Sequence, residues 1–299
     1  MVKNSEMSLS ILIPTYNYDC SALLESLLSQ AERLNCSYEI IVGDDGSTDG
    51  SIVKKLIHSC SLSDHCRLLR VKKNLGRAGI RNRLGHEASN DFLLFMDSDA
   101  EIVSEDFLSS YVRSSENHDV VSGFISHPQT AVSADKYLRY AYETSSERHF
   151  TSEKLNKMSY PPLSTFCFMI RRTIFEKIHF DESFTDYGYE DVMYGKRLRD
   201  HGHRVYYIPT PLQHNGMESN SRFVEKTEKA LTTLKKHEDS LRHDVHLLQV
   251  VNNLEKLYLR GLVGKCLKPF LSRLRRNLCS DHANLRYLNL YKLGYYLNL

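Results

Sequence analysis

Along the first hundred residues, short unbroken apolar runs alternate with segments whose apolar positions recur at helical spacing. Ser8 to Pro14 (SLSILIP), Tyr38 to Gly43 (YEIIVG), Arg67 to Val71 (RLLRV) and Asp91 to Met96 (DFLLFM) are of the first kind. Leu23, Leu24, Leu27, Leu28, Ala31 and Leu34 are of the second. The alternation predicts βαβαβ. Hydrophobicity that is continuous within each run, not every second residue, predicts strands buried on both faces. That is the signature of an α/β fold with a Rossmann-like, mostly parallel sheet flanked by helices.

Further along, Ser104 followed by Glu105 and Asp106 predicts a helix start with Ser104 as its cap, and Asp119 to Ser126 (DVVSGFIS) another strand. Residues 127–163 mix polar and aromatic residues up to Pro161-Pro162, which suits a loop-rich insertion or a helix over the sheet. Thr165 to Arg171 and Arg204 to Ile208 read as strands, with a helix from Glu190 to His201 ended near Gly202. From Asn220 onward only helices are expected. The organisation predicted is an α/β domain over residues 1–219 and a helical, basic extension over 220–299.

Composition adds boundaries to this picture. The chain has 299 residues, 41% hydrophobic and 25% charged, an ordinary globular balance, and its apolar runs are too short to span a bilayer. The first ten residues, MVKNSEMSLS, lack the apolar core and cleavage site of a secretory signal, so a cytoplasmic protein is expected. Seven cysteines, odd in number and with no CxxC pair, predict reduced thiols and neither a disulfide framework nor a zinc site.

The net charge of +2 hides an asymmetry. From Lys256 to the C-terminus nine Lys or Arg face one acid, Asp281, a local +8 that leaves −6 for the remainder. Leu254, Leu257, Leu271, Leu274 and Leu278 recur among these cations, and Pro269 divides the segment into two short helices. The pattern fits docking on an anionic membrane surface, which would make the protein peripheral on the inner face, and equally fits a packed helical subdomain. No nucleic-acid-binding motif accompanies the basic residues, so nucleic acid is not expected as a partner.

In an open parallel sheet, ligands bind at the carboxyl ends of the strands. Three polar clusters fall there: Pro14-Thr15-Tyr16-Asn17, Asp44 to Asp49, and Asp97-Ser98-Asp99. If the third run continues as a strand through Asp99, Asp97 and Asp99 share a face. Two convergent carboxylates suit a hard divalent cation, Mn²⁺ or Mg²⁺, which can hold a diphosphate on its other side. A D-x-D after a strand also suits an Asx turn or a helix cap, and Asp44-Asp45-Gly46-Ser47 also suits plain turn chemistry. His214, after the last strand, is placed to reach the diphosphate or the cation. GxGxxG and GxxxxGK[ST] are absent, which argues against a dinucleotide dehydrogenase and a P-loop NTPase.

Taken together, ILIPTYN, IIVGDDGSTDGS, NLGRAGIRN, FLLFMDSDAEI and FTDYGYEDVMYGKRLRDHGHRVYYIP resemble, in order and spacing, the inverting family 2 glycosyltransferases of the GT-A fold. The likeness covers roughly residues 8–215. It implies a nucleotide-sugar donor, commonly a UDP-sugar, and a glycan or lipid-linked glycan acceptor of the kind used in polysaccharide biosynthesis. By the same resemblance Thr15 and Tyr16 border the base and ribose, Asp45 or Asp44 meets the uracil edge, and Arg81, more than Arg77, lies near the base. Asp97 would sit by the ribose and metal, and Asp99 would ligate the metal. Ile80 stands where the family usually has alanine.

An acceptor hydroxyl is a poor nucleophile at neutral pH and needs a carboxylate to take its proton. In the acceptor-side motif Asp191 is the candidate base and Glu190 the candidate contact to the acceptor sugar. Both acids also suit the first turn of a helix, where they complement the dipole. A catalytically silent nucleotide-sugar-binding or scaffold protein is the alternative from another class. A sugar-nucleotide pyrophosphorylase would need a glycine-rich loop after the first strand, and PTYNYD is not one.

Overall fold

The computed structural model describes residues 7–127, 132–147 and 151–299. Residues 1–6, read above for a secretory signal, lie outside the described residues, as do 128–131 and 148–150 of the expected insertion. Eight strands form one sheet: β1 Ser8–Thr15, β2 Ser37–Asp44, β3 Cys66–Arg70, β4 Phe92–Met96, β5 Ala100–Ile102, β6 Val120–Ser126, β7 Cys167–Arg171 and β8 Tyr206–His214. Their order is β3-β2-β1-β4-β7-β6-β8-β5. β1 is parallel to both β2 and β4, and β2 to β3, as the unbroken apolar runs predict. Beyond β4 the sheet is mixed, with β7 antiparallel to β4 and β6, and β5 antiparallel to β8.

Because the strand order runs outward from β1 to β2 and β3 on one side and to β4 on the other, the winding reverses at β1, and the crevice at the strand ends opens beside Thr15 and Asp97. Leu9, Ile11 and Ile13 of β1 pack with Leu94 of β4 and with Leu23, Leu24 and Leu27 of the helix Ser21–Ala31 into one fully buried core. Phe95, Phe168 and Phe175 also stack together, with ring centroids 5.0 and 5.2 Å apart.

Several boundaries depart from the pattern-based expectation. β4 stops at Met96, and Asp97–Asp99 form a turn closed by the Ala100 N–H to the Asp97 carbonyl at 3.3 Å. Asp97 and Asp99 therefore lie in a turn and do not share the strand face that their period-2 spacing predicts. The chain reverses into β5, a three-residue strand no pattern announced, since AEI reads as the tail of the preceding apolar run. The next helix is Phe107–Ser115 with Asp106 at its cap position, and the Ser104 hydroxyl donates to the Asp106 carboxylate instead of capping. β8 extends six residues past Ile208, to His214.

The chain divides into two compact units. One comprises Met1–Pro128, Phe150–Thr185 and Arg197–Gly216, and holds the sheet. The other comprises Gln129–His149, Asp186–Lys196 and Met217–Leu299, so the helical unit draws on two segments upstream of the boundary expected at residue 219. Within it, Leu274 and Leu278 join Leu138, Val224, Leu288 and Tyr291 in a separate buried core. As expected from Asn220 onward, the secondary structure is helical, and Pro269 sits in a 3₁₀ turn between the helices Arg260–Leu267 and Leu271–Leu278. All seven cysteines are unpaired. Among the described residues no helix is long and apolar enough to cross a membrane.

Candidate active site

The strand-end loops of the sheet unit are held by side chains that bond to each other's backbone. Asn17, at φ 49° in the left-handed region that asparagine tolerates, accepts the Thr48 and Asp49 N–H groups at 2.9 and 3.0 Å. Its own N–H donates to Ser47 Oγ at 2.8 Å. Asp49 in turn caps the helix Gly50–Cys60 by accepting from Ser51 and Ile52. The first two polar clusters thus meet, as expected. Thr15 is buried, with its hydroxyl on the Tyr18 carbonyl at 2.9 Å, whereas the Tyr16 side chain is half exposed beside them.

Asp44, the last residue of β2, and Asp45 just after it, the two candidates for the base edge, are both buried. Asp44 accepts the Ser47 N–H at 2.9 Å and the Arg70 Nε–H at 2.8 Å. Asp45 accepts the Leu75 and Gly76 N–H groups at 2.7 and 3.1 Å, clasping the start of the helix Gly76–Glu87. Burial pushes the Asp45 carboxyl up to about 6; the negative Asp44 beside it adds to the rise, and the two N–H bonds oppose it.

The same helix supplies two arginines one turn apart. Arg81, fully buried, donates to Asp97 Oδ1 at 2.5 Å, and Arg77 to Asp97 Oδ2 at 2.9 Å. Arg77, the less favoured candidate on sequence, therefore shares the carboxylate with Arg81. Both oxygens of Asp97 face guanidinium groups.

Asp99 is placed differently, because the register of the edge strands pairs Ala100 of β5 with His214 of β8. That pairing brings Asp99 Oδ2 to 3.2 Å from His214 Nε2. The Asn215 N–H bonds the Asp99 carbonyl at 3.1 Å and fixes the corner. Gly216 completes it, since a Cβ there would lie 2.3 Å from Asp99 Oδ2 and 2.9 Å from His214 Nε2. A carboxylate oxygen and an imidazole nitrogen brought together at a strand-end corner are ligand types that a divalent cation accepts. Phe166 stands edge-on to the His214 ring at 5.3 Å, and His127 at 6.3 Å.

Two residues near this pair escaped the sequence reading. His127 sits at the end of β6, and the only signal for it was its position one residue past a strand. Tyr18 has its phenol raised by burial and then by the charge of Asp99, which places it close to that carboxylate. The motif PTYNYD carries both tyrosines, but nothing in its spacing distinguished Tyr18 from Tyr16.

Glu190 and Asp191 belong to the helical unit and open the helix Glu190–Asp200. The turn before them is bent through left-handed backbone at Gly188 (φ 105°) and Tyr189 (φ 67°). Within the unit, the helix Asn220–Lys236 holds this turn: Thr233 Oγ1 donates to the Tyr187 carbonyl at 3.1 Å, and Lys236 pairs with Asp186 at 2.7 Å. Glu190 is buried and Asp191 partly exposed, with Asp191 Oδ1 accepting the Val192 N–H at 2.8 Å. Tyr189 and Val192, on either side of the two acids, line a cavity of about 650 Å³ together with Tyr142, His246, Leu290 and Lys292. Two tyrosine rings set among aliphatic side chains and a few polar groups suit a small polar ligand such as a sugar ring.

A model of the family described as glycosyl transferase family 2 matches residues 10–179. An uncharacterised glycosyltransferase, YfnE of Bacillus subtilis, is 32% identical over 114 residues, 38% of this chain and 28% of its own length. An uncharacterised glycosyltransferase of Haemophilus influenzae is 26% identical over 242 residues, 77% of this chain and 76% of its own. The undecaprenyl-phosphate 4-deoxy-4-formamido-L-arabinose transferase of Proteus mirabilis is 30% identical over 115 residues, 38% of this chain and 35% of its own. The chain thus spans about a third of two of these relatives. Among solved structures, the mannosyltransferase PcManGT of Pyrobaculum calidifontis, in complex with GDP-Man and Mn²⁺, superposes with a TM-score of 0.57 at 17% identity, covering 98% of this chain and 73% of its own.

Proposed function

Because the chain belongs to glycosyl transferase family 2, we propose that it moves a sugar from a nucleotide diphosphate, a UDP-sugar, to a hydroxyl of a glycan or lipid-linked glycan in polysaccharide assembly. The observation that carries this reading is the Asp99–His214 pair at 3.2 Å, which lies at the strand ends where an α/β sheet binds nucleotides. Asp99 and His214 would hold the divalent cation, and Gly216 keeps the space beside them open. A cation bound there supplies positive charge to the leaving diphosphate. Arg77 and Arg81 hold Asp97 in place for the ribose, and Tyr16 offers an exposed ring to the base.

Asp191 takes the proton of the acceptor hydroxyl as the new C–O bond forms on the face of the sugar opposite the diphosphate, which inverts the anomeric centre. Glu190 orients the acceptor sugar, and the cavity beside Tyr189 receives it. A screen of UDP- and GDP-sugars, reading nucleotide release with Mn²⁺ and with chelator, tests the donor and the cation together. Hydrolysis or transfer with one UDP-sugar, lost on chelation, is the expected result. Undiminished turnover in chelator would overturn the cation assignment, and the anomeric configuration of the product, read by NMR, tests inversion.

A further inference from the structure

Lys256 to Arg276 carries seven cations and no acid. Arg260 is satisfied by Glu238 and Glu255, and Arg275 by Glu228 at 2.8 Å. Among the described residues Lys256, Lys265, Lys268, Arg273 and Arg276 are in no ion pair. The same stretch exposes large apolar side chains: Leu257 at 64%, Tyr258 at 95%, Leu262 at 58% and Phe270 at 55%. The segment is also partly anchored, because Leu274 and Leu278 are in the core of the helical unit. What remains outside is therefore selective.

Tyr258 is the sharpest feature of this surface. It ends the helix His246–Lys256 in a Schellman turn, with the Tyr258 N–H on the Glu255 carbonyl at 2.9 Å and the Leu259 N–H on the Leu254 carbonyl at 2.8 Å. The residue at this position takes left-handed backbone, here φ 59°, where glycine is the usual choice and another side chain costs about 1 kcal/mol. A tyrosine that bears this strain and is yet almost wholly exposed gains nothing from folding that would account for it. On helix Arg260–Leu267 the exposed Leu262, Lys265 and Cys266 follow at i, i+3 and i+4, so apolar and basic groups share one face.

We propose that the segment Lys256–Arg276 is a docking surface for an anionic lipid bilayer, with Tyr258, Leu262 and Phe270 entering the interface and the five unpaired cations meeting the headgroups. An aromatic tip suits the membrane interface, and cations without acids suit anionic headgroups. A nucleic acid would use the cations and leave Leu262 and Phe270 without a role. Docking of this segment would locate the protein and does not depend on the transfer reaction.

The chain contains no tryptophan, so Tyr258→Trp gives a single reporter in the full-length protein. With phosphatidylglycerol vesicles its emission should shift to the blue and be quenched by lipids brominated in the acyl chain. Phosphatidylcholine vesicles and a soluble polyanion such as heparin should cause neither change. Each of Lys265→Gln, Lys268→Gln and Arg273→Gln should weaken binding about five-fold, and Leu262→Ser with Phe270→Ser by about ten-fold or more. Unshifted emission on phosphatidylglycerol overturns the proposal. So does vesicle binding that ignores the Leu262 and Phe270 substitutions, since that is surface adsorption by charge alone.

Discussion

The strand-end loops of the sheet unit and the turn before Glu190 in the helical unit both present acids, but they are held by different physics. In the loops, side chains satisfy neighbouring backbone: Asn17 on Thr48 and Asp49, Asp45 on Leu75 and Gly76, two arginines on Asp97. In the turn, the backbone itself is left-handed at Gly188 and Tyr189, strained at the tyrosine, and is kept there by the helix Asn220–Lys236. A hydrogen-bonded network positions groups at little conformational cost, whereas left-handed backbone at a bulky residue costs about 1–3 kcal/mol and persists only when its surroundings enforce it. The first arrangement should tolerate conservative exchange; the second should respond sharply to small steric changes.

The largest effect is expected at the corner of β5 and β8. Asp99→Ala should reduce transfer by about 10³-fold and weaken donor binding chiefly when metal is present, because the base and ribose contacts remain. Calorimetry of UDP binding with and without Mn²⁺ checks the second half, and an equal loss in both conditions would remove Asp99 from the cation site. Asp191→Asn comes next, with turnover down by about 10²-fold and donor affinity near wild type. If UDP binding falls along with turnover, the helical unit's acids serve the donor and the contrast between the two regions loses its functional half.

Much of the first region was legible because its chemistry is local. Asn17, Asp44, Asp45, Asp97 and Asp99 each stand within three residues of the end of an apolar run, and the sheet rule turns that position into a site. What escaped depended on distant register. β5 is three residues long and continuous with β4 in pattern, so the reversal at Asp97–Asp99 left no trace. The engagement of Asp97 by Arg77 and Arg81 is set by how helix Gly76–Glu87 lies on the sheet, although their i, i+4 spacing did place both on one face. In the basic tail, Leu274 and Leu278 turned inward while Leu257 stayed out, a choice set by the core of the helical unit and invisible in the leucine spacing alone.

Smaller effects sharpen the comparison. Gly188→Ala would place a methyl 2.6 Å from the Ala230 Cβ and impose φ 105° on a residue that resists it, and should destabilise the protein by about 2–3 kcal/mol in denaturant titrations. Adding Ala230→Gly should recover only the steric part.

The loop network predicts a milder, pH-dependent result. With its folded pKa raised to about 6, Asp45 holds its proton more tightly in the folded chain than in the unfolded one. Its contribution is therefore most favourable below about pH 4, declines as pH rises to about 6, and is flat above. Asp45→Asn cannot ionise, so its stability relative to wild type should improve across that window by on the order of 1–2 kcal/mol. A pH-independent difference between the two proteins would mean that Asp45 stays ionised on its two N–H donors.

The meeting of Asp99 and His214 has one more consequence, for the order in which the molecule assembles. The two residues are 115 positions apart in the chain, so their encounter closes a long loop and cannot precede the docking of β8. A nascent chain can complete β1 to β4, and with them the loops that would receive the nucleotide, long before the second partner of the pair has been synthesised. Anything that bridges the pair binds the finished fold alone and so stabilises it by mass action, by about 2.7 kcal/mol when present at a hundred times its dissociation constant. The corner thereby couples readiness for chemistry to completion of folding.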